Sequence, residues 1–299
     1  MKKVLITGAN SYIGTSFEQW GRENCTQIIC DTLNMHGEDW KDHDFSGYDT
    51  VFHVAGIAHA DVQKVTKEEQ KHYYDINTDL AVACAKKAKE DGVDQFIYMS
   101  SMIVYGESGG IGKARRIHAD TVPTPANFYG DSKLQAEIGL RKLETADFKI
   151  VILRPPMIYG KGSRGNYPVL SKMAEKLPLF PKERNERSML YIGNLCKFVS
   201  LMILNEERGT FYPQNSEYVC TSDLVREIAR VSDKKICMTT IFHPILLLMG
   251  RLGGKTGRMV NKAFGNMAYD RDMSIYKEEY CLYDFETSVR LTEEKAGKI

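Results

Sequence analysis

The sequence predicts an α/β protein built on a doubly wound parallel sheet, with a smaller, mostly C-terminal domain beside it. Short apolar runs alternate with longer amphipathic segments over the first two-thirds of the chain, as they do in βαβ units. A glycine-rich turn follows the first of these runs, and the alternation loosens after about residue 155. The predicted strands are residues 4–7, 27–30, 50–54, 95–99 and 149–153.

Helices are predicted between these strands. The segment 70–91 carries alanines at helical spacing and ends at Gly92, a residue typical of helix C-termini. Two stretches rich in Gly, Pro and charge, 160–168 and 177–185, are predicted to form loops and short helices. The predicted helices are residues 12–23, 70–91, 128–143 and, in the last third, about 222–231.

Composition excludes several classes of function. The chain has 40 basic and 39 acidic residues, a balance that argues against a general nucleic-acid binder. The longest apolar run, 241–250, is interrupted by His243 and Pro244 and falls short of the ~20 residues that span a bilayer, so a buried or interface helix is predicted there.

Seven scattered cysteines without a C-x-x-C pair predict reduced thiols and a cytoplasmic location. The seven histidines form no cluster, and no metal is predicted.

A glycine-rich turn links the first predicted strand to the first helix. A turn of this kind lets backbone amides and a helix N-terminus approach a pyrophosphate, so the turn predicts a Rossmann-type dinucleotide site. Asp31 lies 17 residues after Gly14, at the predicted end of the second strand. A carboxylate there would bind ribose hydroxyls and repel a 2′-phosphate, which favours NAD over NADP. The predicted contacts in the turn are Gly8, Asn10, Ser11, Tyr12, Ile13 and Gly14.

One pair of residues predicts acid/base chemistry. Tyr129 is the only one of 16 tyrosines with a lysine four residues later, Lys133, and such a pair shares one face of a helix. The ammonium is expected to lower the phenol pKa from its usual value of about 10. Alone, the pair could be an exposed helix pair. Ser101, however, follows the predicted strand 95–99 and brings a hydroxyl to the sheet edge where ligands bind.

Together these motifs resemble the extended short-chain dehydrogenases/reductases, the nucleotide-sugar epimerase/dehydratase family, over roughly residues 1–205. The family's G-x-x-G-x-x-G motif is matched by Gly8 and Gly14, with Ser11 in place of the middle glycine. The resemblance implies a catalytic set of Ser101, Tyr129 and Lys133. It also implies further residues beside the cofactor, namely Val54, Ala55, Gly56, Asn77, Ser100 and Pro156.

The resemblance also implies substrate contacts and a domain division. Arg187 aligns with an arginine that binds the diphosphate of the sugar nucleotide, and Asn166 with a substrate-side asparagine. Residues 1–160, with a returning segment at about 188–215, are expected to form the NAD-binding domain. Residues 161–187 and 216–299 are expected to form the substrate-binding region. A homodimer is compatible with this family.

Three functions remain open at this point. The first is an NAD-dependent epimerase that acts at C4 of a UDP-linked hexose through a transient keto-sugar. The second is a 4-keto reductase of a UDP-linked deoxysugar, because the stretch 177–188 resembles that branch equally well. A non-catalytic dinucleotide-binding scaffold is the third, and the presence of the Tyr129/Lys133 pair argues against it. Dehydratases usually place an acidic pair after the active-site hydroxyl, where this chain has Met102 and Ile103.

Overall fold

A computed structural model describes residues 1–57, 65–252 and 254–294. Its centre is a six-stranded parallel sheet in the order β10-β6-β4-β3-β1-β2. The order reverses between β1 and β3, and in such sheets the crevice beyond the carboxyl ends at the reversal binds ligands. The six strands are β1 (Lys2–Thr7), β2 (Ile28–Leu33), β3 (Thr50–His53), β4 (Gln95–Met99), β6 (Lys149–Leu153) and β10 (Gly209–Phe211).

Each central strand is buried on both faces, as expected for a parallel sheet. Alternate residues face opposite sides, so neighbours such as Ile6 and Leu5 belong to two different hydrophobic cores. The predicted parallel α/β fold is thereby confirmed. The helices of the described residues are α1 (Tyr12–Asn24), α2 (Lys67–Tyr74), α3 (Leu80–Glu90), α4 (Phe128–Arg141), α5 (Asn166–Lys176), α6 (Ile192–Leu204), α7 (Thr221–Val231), α8 (His243–Arg251), α9 (Gly254–Phe264) and α10 (Phe285–Glu293).

The predicted helix 70–91 is interrupted by a wider turn. Residues Asp75–Asp79 form a π-helical segment between α2 and α3. The helix also begins earlier than predicted, because Thr66 and Glu69 cap its N-terminus reciprocally. Single π turns inside helices often mark functional positions. This one contains Asn77, a predicted cofactor-side residue.

Small parallel strand pairs hold the rest of the chain against the sheet. One pair crosses a long stretch of sequence, because β12 contacts the segment just before α4. Another lies in the segment 177–185, which was predicted to hold only loops and short helices and instead contains β8. The pairs are β5 (Arg116–Ile117) with β12 (Ala268–Tyr269), β7 (Met157–Tyr159) with β9 (Met189–Tyr191), and β8 (Leu179–Pro181) with β11 (Cys237–Thr239).

The apolar run at residues 241–250 corrects one prediction. It forms most of α8, in which Leu246 is the only buried residue, so of the two predicted alternatives the buried helix is wrong and the interface helix stays a prediction. Within the described ranges, no helix is both long and apolar enough to cross a bilayer.

Candidate active site

The glycine turn lies at the carboxyl end of β1, beside the segment that follows β3. Gly8 has φ +115°, and a side chain there would come within 2.7 Å of the Ala55 backbone nitrogen. The hydroxyl of Ser11 accepts a hydrogen bond from the Gly14 amide and caps α1. Ser11, which replaces the family's middle glycine, therefore stabilises the start of α1 as its N-cap.

The same turn packs closely against the segment that follows β3. The Gly8 backbone and the residues after β3, Val54 to Gly56, approach each other without side chains between them. The N-terminus of α1 follows directly, and its free amides favour a negatively charged group. The Tyr12 hydroxyl is buried and has no hydrogen-bond partner among the described residues. These features fit a bound dinucleotide.

Asp31 lies inside β2 and not at its end as predicted. The strand continues two residues further, to Leu33, because its pairing with β1 extends as far as Thr7. The Asp31 carboxylate is exposed and accepts a hydrogen bond from the Tyr48 hydroxyl at 3.1 Å. The remaining lone pairs of this carboxylate can accept hydrogen bonds from ribose hydroxyls.

We expect Asp31→Ala to narrow the preference for NAD(H) over NADP(H). The substitution removes the charge that repels a 2′-phosphate and the acceptor for the ribose hydroxyls. Isothermal calorimetry with both cofactors measures the two Kd values. Tyr48→Phe is the control, because it removes the partner of Asp31 and keeps the carboxylate. Tighter binding of NADP(H) by the unmodified protein would contradict the prediction.

The predicted catalytic residues meet at the carboxyl end of β4. Ser101 lies two residues after the end of that strand and caps the short helix Met102–Tyr105 by accepting a hydrogen bond from the Ile103 amide. Tyr129 lies in the first turn of α4, where Asn127 caps the helix. Burial raises the pKa of the Tyr129 phenol, and the Ser101 hydroxyl lies near enough to oppose that rise. The structure thus brings together two side chains that are 28 residues apart in sequence.

The pKa of Tyr129 differs from the prediction. Burial raises it to about 12, and the contact with Ser101 opposes that rise only in part. The Nζ of Lys133 donates a hydrogen bond to the Met99 carbonyl at 2.9 Å and lies over the Tyr98 ring. The phenol is therefore protonated at neutral pH in the protein without ligand.

Lys133 is buried in a polar pocket that faces the segment after β3. Burial lowers its pKa to about 8. A side chain at Gly56 would lie 3.2 Å from its Nζ and 3.0 Å from Asn77 Oδ1. The side-chain amide of Asn77 accepts a hydrogen bond from the Ile57 backbone N–H and donates one to the Ile57 carbonyl. It also donates to the Ser132 hydroxyl on α4. Asn77 thus ties the chain after β3 to the helix that carries Tyr129 and Lys133.

Sequence reasoning missed a buried ion pair directly behind this site. Glu137 stands one turn after Lys133 on α4, and its carboxylate binds the Arg154 guanidinium through several hydrogen bonds. The hydroxyl of Ser100, a residue predicted to lie beside the cofactor, donates a hydrogen bond to Glu137. Arg154 also donates to the Tyr105 hydroxyl. The spacing of Tyr129, Lys133 and Glu137 along one helix face was the available signal.

Arg187 supplies a positive charge at a second part of the cleft. Its guanidinium donates to the Ser108 hydroxyl and the Gly265 carbonyl, and no carboxylate pairs with it in the described ranges. Burial lowers its pKa to about 10. Ser108 lies seven residues after Ser101, so the two parts of the site share one loop. A half-buried cation without a carboxylate partner is suited to binding a diphosphate.

A neighbouring cavity holds more cations than the sequence analysis singled out. It is lined by Arg115, Arg116, Arg184, Asn185 and Asn266, among others. Arg116 is neutralised by Glu186. Arg115 and Arg116 are adjacent in sequence at the start of β5, whereas Arg184 comes from the segment between β8 and β9.

The remaining predicted residues take up less specific positions. Asn166 begins α5 and is half-buried, and the structure shows no contact that joins it to Arg187 or Tyr129. Pro156 is buried just after β6, where the Pro155 carbonyl accepts from the Met102 amide beside Ser101. Across residues 1–57, 65–252 and 254–294, no three metal-binding side chains cluster together.

A family model decides the affiliation of the chain. The model described as "NAD dependent epimerase/dehydratase family" matches residues 4–213, which include every residue of the glycine turn and of the predicted catalytic set. The chain belongs to the NAD-dependent epimerase/dehydratase family. Membership confirms the predicted NAD cofactor and an enzyme of the extended short-chain dehydrogenase/reductase type.

Relatives and solved structures agree with this family. A UDP-glucose 4-epimerase from Vibrio cholerae is 31% identical over 293 residues, covering 90% of this chain and 87% of its own. The N-acetyl-α-D-glucosaminyl-diphospho-ditrans,octacis-undecaprenol 4-epimerase of Escherichia coli O157:H7 is 26% identical, covering 88% and 81%. A solved variant of UDP-glucuronic acid 4-epimerase from Bacillus cereus, bound to NAD and a fluorinated sugar nucleotide, shares the fold with a TM-score of 0.70 at 17% identity, covering 97% and 98%.

Proposed function

We propose that this protein is an NAD-dependent epimerase that inverts C4 of a UDP-linked hexose. The observation that carries the proposal is the gathering of three side chains at the carboxyl end of β4: Ser101 follows that strand, and α4 brings Tyr129 and Lys133 to it, with the Lys133 Nζ bonded to the Met99 carbonyl. The similarity to the Vibrio cholerae UDP-glucose 4-epimerase supports the choice of reaction.

The site residues divide the proton chemistry between them. Tyr129 takes the proton from the sugar hydroxyl and later returns it to the keto oxygen, while Ser101 donates a hydrogen bond to the reacting oxygen. The glycine turn, Asp31 and Lys133 would hold NAD, which would supply the exchange of hydride with the sugar carbon. Because the unliganded phenol has a pKa of about 12, it is ready to donate a proton, and binding must lower that pKa before it acts as a base.

Substrate binding is assigned to the cationic side of the cleft. Arg187 would hold the diphosphate, since it has no carboxylate to displace in the described ranges. The hexose would then reach from Arg187 towards Ser101 along the loop that contains Ser108. In this proposal residues 161–187 and 216–299 form the substrate-binding region, and Asn166 contributes to it. Homodimer formation remains a prediction.

The alternative is a 4-keto reductase of a UDP-linked deoxysugar. The same three catalytic side chains would serve it, because a reductase runs only the return of hydride and proton to a keto-sugar. The difference lies in the cofactor, since an epimerase regenerates NAD in each cycle and a reductase consumes one NADH per product.

The deciding experiment follows sugar configuration by NMR. The protein is incubated with UDP-glucose, UDP-galactose and their N-acetyl forms, with NAD and without NADH, and interconversion at C4 is the expected result. A parallel sample contains undecaprenyl-diphosphate-linked N-acetylglucosamine, the substrate named for the Escherichia coli relative. Conversion of that compound alone would still indicate a 4-epimerase, but one whose sugar is linked to undecaprenyl diphosphate and not to UDP. No interconversion, together with stoichiometric oxidation of NADH by a UDP-4-keto-6-deoxy sugar, would overturn the proposal in favour of the reductase.

A further inference from the structure

The helix α8 carries apolar side chains both where it packs on the core and on the adjoining side, where it faces solvent. Its inner side packs Leu246 and Met249 into the main core. On its outer side Ile245 and Leu248 are 55% and 63% exposed. Ile241 and Leu252, which flank the helix, continue the same row at intervals of four, three and four residues and are 71% and 53% exposed. A surface helix in water normally has a polar outer side, so this row, here called the outer stripe, indicates a further contact.

The surroundings of the outer stripe are strongly basic. From residue 234 to residue 269 the sequence contains six Lys and Arg residues and no Asp or Glu, although the whole chain is balanced at 40 against 39. Arg251, at the end of α8, and Arg258, on α9, are both exposed. The two helices pack against each other as a hairpin. The hairpin therefore combines exposed apolar side chains with a local sequence excess of basic residues.

This combination selects among the possible occupants of the surface. A second copy of the chain would bring two faces of the same positive charge together across a two-fold axis, which is unfavourable. An anionic bilayer matches both properties, because its headgroups attract Lys and Arg while its acyl boundary takes up apolar side chains. We propose that the α8–α9 hairpin docks the protein on the surface of an anionic membrane, with the outer stripe in the interface and no segment spanning it.

Docking by this hairpin would bring the substrate cleft close to the membrane. The Gly265 carbonyl, directly after α9, accepts a hydrogen bond from Arg187. Burial lowers the pKa of Lys262, on the last turn of α9. The positive charge of the nearby Arg187 lowers the pKa of Lys262 further. The cation assigned to the substrate is thus attached to the proposed docking element. The docking proposal itself stands without that assignment, because it rests on the outer stripe and its charge.

Vesicle flotation tests the proposal on the full chain. Vesicles of phosphatidylcholine containing phosphatidylglycerol should carry the protein, vesicles of phosphatidylcholine alone should carry much less, and added salt should weaken the binding. I245S/L248S and R251Q/R258Q should each bind about tenfold more weakly or worse, because each removes one of the two attractions.

A matched variant and two further measurements separate docking from loss of folding. V169S/M173S removes two exposed apolar side chains from one face of α5 and should float like the unmodified protein. All variants should retain NAD binding and their unfolding midpoint. Equal flotation of I245S/L248S and the unmodified protein would overturn the proposal. So would a solution dimer, seen by sedimentation, that dissociates in I245S/L248S, because the stripe would then be an interface between copies. Neither result would bear on C4 epimerisation.

Discussion

Tyr129→Phe is expected to lower the turnover number by ~10²-fold or more while leaving the Kd for NAD nearly unchanged. The substitution removes the hydroxyl that exchanges the proton with the sugar, and a positioned acid/base contributes on this scale. In the unmodified protein the rate of sugar oxidation should rise with pH through neutrality. The reason is that the base is the deprotonated phenol, and its pKa of about 12 without ligand leaves it protonated there. Initial rates across this pH range and calorimetry with NAD are the measurements.

Tyr73→Phe is the matched control for this prediction. The Tyr73 ring lies 6.3 Å from that of Tyr129, and the change likewise removes only one hydroxyl. It should keep nearly full activity and the same pH dependence. Near-normal turnover in Tyr129→Phe would show that another group moves the proton.

Glu137→Ala is expected to cost about 3–5 kcal/mol of the free energy of unfolding. The Glu137 and Arg154 side chains are only 1% and 7% exposed, so removal of the carboxylate leaves a buried guanidinium without its counter-charge. The Ser100 hydroxyl loses its acceptor as well. Urea unfolding, with the slope of the transition compared between variants, measures the loss.

The control is Glu18→Ala on α1. Glu18 also pairs with an arginine, Arg22, but that pair lies on the surface, and exposed pairs contribute only about 0–1 kcal/mol. If Glu137→Ala were no more destabilising than Glu18→Ala, the buried pair would not hold α4 against β6. The comparison isolates burial, because the same side chain is removed in both variants.

The sequence predicts the interior of the fold better than its margins. The strands β4 and β6 have the predicted bounds, because each is a short apolar run buried on both faces and flanked by polar residues. The strand β2 runs three residues beyond its predicted end. It is an edge strand with exposed residues, so hydrogen bonds to β1 extend it where the apolar pattern has already stopped.

The site shows the same division between local and tertiary information. Tyr129 and Lys133 could be paired from their spacing, since one helix turn brings them to the same face. The bond between Glu137 and Arg154 joins α4 to the end of β6, and no local pattern contains it. The pKa of Tyr129 was misjudged for a similar reason. The Nζ of Lys133 donates to the carbonyl of Met99, the last residue of β4, and burial of the phenol is the main influence on the pKa of Tyr129.

The order in which the sheet is completed has a consequence for biosynthesis. The strand β10 closes the edge of the sheet at β6, yet it is synthesised about 60 residues after β6. The strand β12 follows its partner β5 by some 150 residues. A chain emerging from the ribosome would therefore carry β6 as an open edge, which is a site for unwanted pairing with other chains. Contacts so distant in sequence also slow folding. Premature termination before residue 209 should thus yield an aggregating product even though all the catalytic residues are already present.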